Sequence, residues 1–454
     1  MEGEAVGGVL NAGILSATRC AFRDNSGPNP MSLLFGSDTG GMVNEGTAVL
    51  TDCTFSGNSA GEAAALLNLG TLTMVDSQLS NNSTFLRLGT FTNRGTATLL
   101  RCRVSENRLD NPGGAGIVNA GGALKATQTT VAGNGFGVGV SVFSGDTTLI
   151  NSVITGNGHG GITNQGTLTV INTSVSENSA FRYGAGIGNS GTATIQQSTI
   201  NGHMDLNGAG IANYGMATLI NSTVSGNTAD TSGGGIYNTG ALHLNNVTIA
   251  TNAIAGLGGG AGGGISNALS GTVELNNTIV AGNTDGSSSA PDCSGFVQSH
   301  GHNLIADLTG CTVLGSAPGD INGIDAELGA LEDNGGPTLT HALREGSPAI
   351  DAGNPTAPGS DETACSTIDQ RGAPRPQGAA CDIGAFEVGS ATARCAGDCN
   401  GDAVVTVDEL LVIVNVALDA APVSVCAQGD VDADGAIVIN EILVAINRAL
   451  NGCF

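Results

Sequence analysis

The sequence predicts a mainly β chain, a long parallel β-helix followed by a small α-helical module. Three observations predict it. A unit of 21 to 33 residues recurs eleven times between Gly13 and Asn283. Apolar residues inside each unit alternate with a period of two, which marks short strands rather than helices. Two acidic twelve-residue loops, each followed by an apolar-periodic run, lie near the end of the chain.

The repeat registers on one glycine. Coils one to eleven are anchored at Gly13, Gly46, Gly70, Gly95, Gly122, Gly145, Gly166, Gly191, Gly215, Gly240 and Gly271. Twelve residues after the anchor stands Asn in ten units of eleven, from Asn25 to Asn283, with His203 the exception. Two residues before eight of the anchors stands another Asn, as in Asn11, Asn44, Asn68 and Asn238. Positions two and four after the anchor are mostly apolar (Leu168 and Val170, Leu242 and Leu244), and position nine always is, from Phe22 to Val280.

A unit this short cannot bury its apolar face alone, so successive units must stack as coils whose strands pair in parallel. At about 4.8 Å per coil, eleven coils make a rod of roughly 50 Å. Asn suits such stacking because it tolerates left-handed corners and its amides hydrogen-bond along the stack. A β-propeller would need longer blades of four strands. The predicted segments are 1–283 for about eleven coils, 284–390 for further coils and a disulfide-stapled cap, and 391–454 for the helical module. The repeats begin by residue 7 and "MEGEAVGGVLNAG" carries no secretory signal. The chain is therefore expected to be a fragment of a longer exported parent.

The stretches "DCNGDAVVTVDE" (398–409) and "DVDADGAIVINE" (430–441) have the ligand spacing of calcium loops. Side-chain oxygens stand at positions one, three and five, in Asp398, Asn400 and Asp402 and again in Asp430, Asp432 and Asp434. Position seven offers a carbonyl at Val404 and Ala436, and position twelve offers Glu409 and Glu441 for bidentate coordination. Thr406 adds an oxygen at position nine of the first loop. Ala403 stands at position six of that loop, where Gly makes the sharp turn, whereas the second loop keeps Gly435. Each loop runs into an apolar-periodic helix, "ELLVIVNVAL" or "EILVAINRAL".

The unit "GGGIYNTGALHLNNVTIATN" resembles the repeats of polymorphic outer-membrane-type β-helix proteins of bacteria. The stretches "HNLIADLTGC", "GALEDNGGPTLTHAL", "GSPAIDAG", "DQRGAPRP" and "CDIGAFE" resemble the tail of the choice-of-anchor Q family. These resemblances cover residues 7–388 and imply a right-handed, pectin-lyase-like solenoid that is secreted or displayed on a bacterial surface. Two loop-plus-exit-helix units 32 residues apart resemble a dockerin more than a full EF-hand pair. That implies a cohesin-like or cell-surface partner. Loop positions ten and eleven are Val407–Asp408 and Ile439–Asn440, where dockerins often carry Ser or Thr.

Chemistry on the rod has few candidates. Position six after the anchor carries Arg19, Asp52, Asp76 and Arg101 in the first four coils and amides in the other seven. Two carboxylates between two guanidiniums suit calcium and an acidic sugar, as in polysaccharide lyases. They equally suit two neutral pairs, Arg19–Asp52 and Asp76–Arg101, along a stacked column. The insertion Ser26–Thr39 is expected to put the register of the first two coils at risk. His300 and His302 have a spacing compatible with zinc, but no Cys or carboxylate completes the set nearby. His203 reads as a stacking substitute for Asn. No nucleophile elbow or phosphate-binding glycine loop is present. Three Tyr and no Trp leave little aromatic platform for sugars.

A net charge of −25 excludes a basic nucleic-acid footprint, and no apolar run is long enough to span a membrane. Of the eleven Cys, Cys20, Cys53 and Cys102 share position seven and read as inert stacked residues. The other eight form local groups: Cys293 with Cys311, Cys365 with Cys381, and Cys395, Cys399, Cys426 and Cys453 around the calcium loops. Their even number in loop-rich regions implies disulfides and an oxidising compartment. The expectation is a secreted or surface-displayed rod without catalysis, with a calcium-dependent C-terminal module. The alternative is an extracellular enzyme acting on acidic polysaccharides.

Overall fold

The computed structural model describes residues 5–27, 38–84, 88–109, 114–180, 184–256, 260–286, 291–315, 317–389, 396–400, 404–418, 420–430 and 435–451. Every anchor glycine leads into a strand of one parallel stack, such as Thr47–Thr51, Thr71–Val75 and Thr96–Leu100. A second stack follows, in which Gln78–Ser80 pairs with Thr54–Ser56 on one side and Arg103–Ser105 on the other. The chain is a parallel β-helix, as its period-two pattern predicts. The insertion between coils one and two leaves the register intact, because Ile14 still pairs with Thr47 and Ala21 with Thr54.

Positions two, four and nine point inward. Leu72, Met74 and Leu79 of coil three are buried, and so are Leu168, Val170 and Val175 of coil seven. Each such side chain contributes on the order of 1.5–3 kcal/mol by leaving water. The inward residues of coil one, Leu15, Ala17 and Phe22, are only partly buried, with Phe22 stacked 4.4 Å from Phe55.

Most anchor glycines are needed for close approach rather than for a left-handed turn, Gly145 (φ 80°) being the one with positive φ. A Cβ on Gly46, Gly70, Gly95 or Gly240 would strike the carbonyl oxygen of the anchor one coil below. Left-handed corners fall at position six instead, where all eleven residues have φ between 46° and 54°, and again at position eleven, just before the second Asn column, as at Asp24, Gly57, Asn81 and Glu106. Sequence reasoning placed corner and amide stacking together in the Asn columns. The structure separates them.

Both Asn columns are buried hydrogen-bond ladders. In one, Asn11 donates to Asn44 Oδ1 (2.7 Å), Asn44 to Asn68 (2.8 Å), Asn68 to Asn93 (2.7 Å) and Asn93 to Asn119 (2.9 Å). It resumes from Asn164 to Asn189, Asn213, Asn238 and Asn267. Asn119 and Asn267 escape the sequence register because one and two extra residues separate them from their anchors. Between the two runs Val142 takes the position, and Asn119 donates to the Thr147 hydroxyl instead.

The other ladder runs from Asn25 through Asn58, Asn82, Asn107, Asn134 and Asn157 to Asn178. It resumes at Asn227 and ends where Asn283 donates to Asp292 (2.9 Å). His203 spans the gap. Its Nδ1 accepts from the Asn178 N–H (3.1 Å), and its Nε2 lies 3.0 Å from the Val175 carbonyl, where an Asn amide would donate.

Position seven forms a third ladder, of hydroxyls. The Ser152, Thr173 and Ser198 hydroxyls each donate to the carbonyl two residues back and accept a backbone N–H from the coil before. Two cysteines of that column are not inert, because Cys20 and Cys53 form a disulfide (Cα–Cα 4.6 Å); adjacent coils bring equal positions within bonding reach. Cys102 remains a buried thiol.

After coil eleven, Cys293–Ser299 extends the stack, and the chain to Val388 doubles back over the last coils. Helices α1 (Val407–Ala417) and α2 (Ile439–Asn451) pack around Ile413, Val416, Cys426, Ile437 and Ala445. Further disulfides join Cys293 to Cys311, Cys365 to Cys381 and Cys399 to Cys426, while Cys395 and Cys453 lie outside the described residues. Among the described residues no helix is long and apolar enough to cross a membrane.

Burial lowers the His203 pKa from its ordinary 6.5 to about 4. Its contribution to stability is therefore complete above about pH 6.5 and is lost as pH falls toward 4, by on the order of 3 kcal/mol. His203→Asn restores the ladder amide without a titrating group. Wild type and variant should melt within a few degrees of each other at neutral pH, and the gap should widen in the variant's favour on acidification. Parallel melting curves across that range would remove His203 from the acid response.

Candidate functional site

The position-six column is an edge of left-handed corners before it is anything chemical. Asn and Asp accept φ near 50° at modest cost, which accounts for seven of the eleven residues there, while Gln128, Gln197, Arg19 and Arg101 adopt it without that advantage. Of the two pairs expected in the first four coils, one forms. Arg101 donates to Asp76 through Nε (2.6 Å) and Nη2 (2.9 Å), with both side chains about half exposed. The Arg101 hydrogen bonds hold the Asp76 carboxyl below its ordinary pKa. Arg19 and Asp52 sit on paired coils but make no ion pair among the described residues, their side chains being exposed and free to diverge. Asp76 is committed to Arg101, so the four residues do not gather as a lyase centre.

In coils eight to eleven the same strip is covered. Asn221 Nδ2 donates to the Ile368 carbonyl (2.7 Å), and Asn277 Nδ2 donates to the Thr363 carbonyl (2.9 Å). The Thr223 hydroxyl donates to Gln370 Oε1 (2.7 Å), and Gln370 donates on to Thr199 and Thr338. Ser225 Oγ meets His341 Nε2 at 2.8 Å. Sequence reasoning missed this docking because its partners lie 86 to 171 residues apart. The only signal was the density of polar residues in "GGPTLTHAL" and "DQRGAPRP".

Those tail motifs meet in one buried knot. Arg375 is wholly buried and donates to Glu387 Oε2 (3.0 Å) and to the carbonyls of Asp382 and Gly384. Arg371 donates to Asp369 Oδ2 (2.8 Å) and lies 3.6 Å over the Phe386 ring. Burial pushes Asp382 up to about 6 and raises Glu387, while it lowers Arg375. Every one of these charges faces a partner inside the knot. Its chemistry is structural.

The zinc pairing of His300 and His302 does not form. His300 Nε2 lies 3.3 Å from Glu274 Oε2, which also meets His243 Nδ1 at 3.0 Å. His302 Nδ1 instead meets the Ala352 carbonyl at 2.9 Å. His302 sits in a left-handed corner (φ 55°), which turns its ring away from that of His300. Among the described residues no three His, Cys, Asp or Glu are arranged to hold a metal ion.

Of the predicted calcium ligands, Asp402, Asp432 and Asp434 lie outside the described residues. Asp398, Asn400, Val404, Thr406, Glu409, Asp430, Ala436 and Glu441 lie within them. Glu409 closes the first loop: Oε1 accepts the Cys399 N–H (3.0 Å) and the Asn400 N–H (3.2 Å), and Oε2 accepts the Thr406 N–H (2.8 Å). Thr406 is the N-cap of α1, in a capping box with Glu409. In the second loop Glu441 Oε2 accepts the Val438 N–H (2.8 Å). Gly435 makes the turn at φ 88° and donates to Asp430 Oδ2 (2.9 Å). Asp398, Glu409 and Glu441 are buried carboxylates in loops whose expected donors are all oxygen, which fits a hard cation.

No family model matches the chain, and no curated protein matches it. A crystal structure of pectate lyase Pel9A is similar at 13% sequence identity and a TM-score of 0.38, over 83% of this chain and 87% of that one. So distant a likeness carries nothing about substrate or catalytic residues.

If the corner angle selects position six, backbone and side chain should separate by mutation. Asp76→Gly keeps the left-handed conformation and should alter stability by less than about 1 kcal/mol. Asp76→Val forces a β-branched residue into it and should cost about 1–3 kcal/mol more. Equal melting temperatures for the two variants would show that the angle exerts no selection.

Proposed function

We propose that this chain is an exported, non-catalytic β-helical rod, an adhesin-like or structural interaction protein. Its C-terminal module binds calcium and serves as an anchoring or interaction unit. One observation carries the reading: the buried polar columns of the rod are occupied in holding coil to coil, and the corner column of coils eight to eleven in holding tail to rod. The Asn, Ser and Thr ladders are internal, and Asp76 and Arg101 satisfy each other. The tail motifs similar to the choice-of-anchor Q family supply a buried knot rather than a reaction centre. Four disulfides support an oxidising, extracellular setting.

In the calcium module, Asp398, Asn400, Glu409 and the Val404 carbonyl would hold one ion, with Asp402 and Thr406 completing the set. Asp430, Glu441 and the Ala436 carbonyl would hold a second, with Asp432 and Asp434. Bound calcium neutralises crowded carboxylates and fixes each loop against its exit helix. The dockerin-like layout favours a cohesin-like or cell-surface partner for this unit, and a polysaccharide remains a further candidate.

Two experiments test these readings. Incubating the protein with pectin and alginate should give no unsaturated uronate products by ultraviolet absorbance. Products that vanish on Asp52→Asn with Asp76→Asn, at unchanged melting temperature, would establish a lyase instead. For the module, a chelator should abolish the helical circular-dichroism contribution of α1 and α2 while the β-helix persists, with disulfides intact. Glu441→Gln should weaken calcium binding more than Glu409→Gln, because the second loop keeps Gly435 at the sharp turn. A helix signal equal with calcium and with chelator would remove the ion from the fold.

A further inference from the structure

The C-terminal tail demonstrates what the corner strip of the rod is able to hold. In coils eight to eleven it binds the irregular returning chain through main-chain atoms. Besides the carbonyls of Ile368 and Thr363, it meets N–H groups: Ser366 donates to Asn246 Oδ1 (2.9 Å) and Asn354 to Asn277 Oδ1 (2.8 Å). The Thr199 hydroxyl donates to the Leu339 carbonyl (2.6 Å). A corner amide thus satisfies either main-chain group, whatever side chains the bound segment carries.

The strip continues past the edge of the tail. Coils five to seven present Gln128, Asn151 and Asn172 at φ 51°, 50° and 49°, the same corner in the same register. The strand beside the corner is continuous, Thr130 pairing with Val153, Val153 with Ser174, and Ser174 with Thr199 under the tail. Gln128 and Asn151 are exposed, and none of the three amides makes a hydrogen bond among the described residues. Asn172 Oδ1, one coil from the tail, is shielded from solvent and has no partner.

We propose that coils five to seven dock an irregular, loop-like polypeptide segment of another protein. Its main-chain N–H and C=O groups are held by the side-chain amides of Gln128, Asn151 and Asn172. Continuity with the tail-bearing strip argues for polypeptide. The three corners carry no charge that would select an acidic sugar. This inference rests on the reading of the chain as an interaction protein and names its partner class.

The test uses the full chain and a fluorescent peptide with the sequence of residues 361–370, Ser replacing Cys365, read by anisotropy. Gln128→Gly, Asn151→Gly and Asn172→Gly together remove the amides and keep the left-handed corners. Saturable binding should weaken at least about tenfold in that variant at unchanged melting temperature, since each lost hydrogen bond is worth about 1 kcal/mol. Asp52→Gly, a corner outside coils five to seven, should bind as wild type. No saturable binding, binding that survives the triple substitution, or equal loss in Asp52→Gly overturns the proposal. So does an oligogalacturonate that binds through the same three amides, or a dimer that dissociates on their removal. These failures leave the non-catalytic reading intact, whereas cleavage of pectin or alginate defeats that reading whatever the peptide does.

Discussion

Parallel pairing of one coil on the next is the constraint on which the rest of the rod depends. It sets a repeat of about 4.8 Å and places equal positions of successive units directly above one another. A polar side chain admitted to the interior therefore has its own counterpart as nearest neighbour. Asn is suited to that position because its amide donates upward and accepts from below, as Asn58 does between Asn25 and Asn82. The buried columns are polar and satisfied together, which is the condition under which interior polarity is tolerable. Where Val142 interrupts one ladder, Asn119 turns to the Thr147 hydroxyl; in the other ladder the replacement itself supplies both functions. His203 does so with its two ring nitrogens.

The same stacking explains why position six is a poor place to read chemistry from residue type. Its backbone angle filters the sequence first, so Asn and Asp accumulate there for conformational reasons. What such a residue then does depends on what lies over it. Asn221 and Asn277 hold the tail, Asp76 meets Arg101, and Asn172 lies uncovered with a shielded oxygen. One column, a single local conformation, serves three different ends.

Rod and C-terminal helical module reach order by different means. The rod buries apolar residues at positions four and nine in every coil from coil two to coil eleven, and at position two in all of these but coil six, where Thr147 is buried instead. The module is small and acidic, with a short core around Ile413 and Ile437 and a disulfide from Cys399 to Cys426. A core of that size is marginal without a staple or an ion. In both loops the position-twelve glutamate accepts an N–H from position nine, so the residue expected to take the cation also begins the exit helix.

The fold was legible in the sequence because a solenoid is nearly one-dimensional: each unit contacts its neighbours, so periodicity alone carries strand positions, inward residues and ladder asparagines. Asn119 and Asn267 were missed only because loops of different length displaced them from their anchors. The spacing from which calcium binding is proposed is likewise local in the chain, so it could be read from the sequence alone. What the sequence could not reveal lay at long range. The backbone angle at position six, the disulfide between Cys20 and Cys53, the parting of His300 from His302 and the tail on coils eight to eleven were decided only in three dimensions. Each depends on which coil or return segment lies across a given position, and that is set by the stacking of coils and the path of the returning chain.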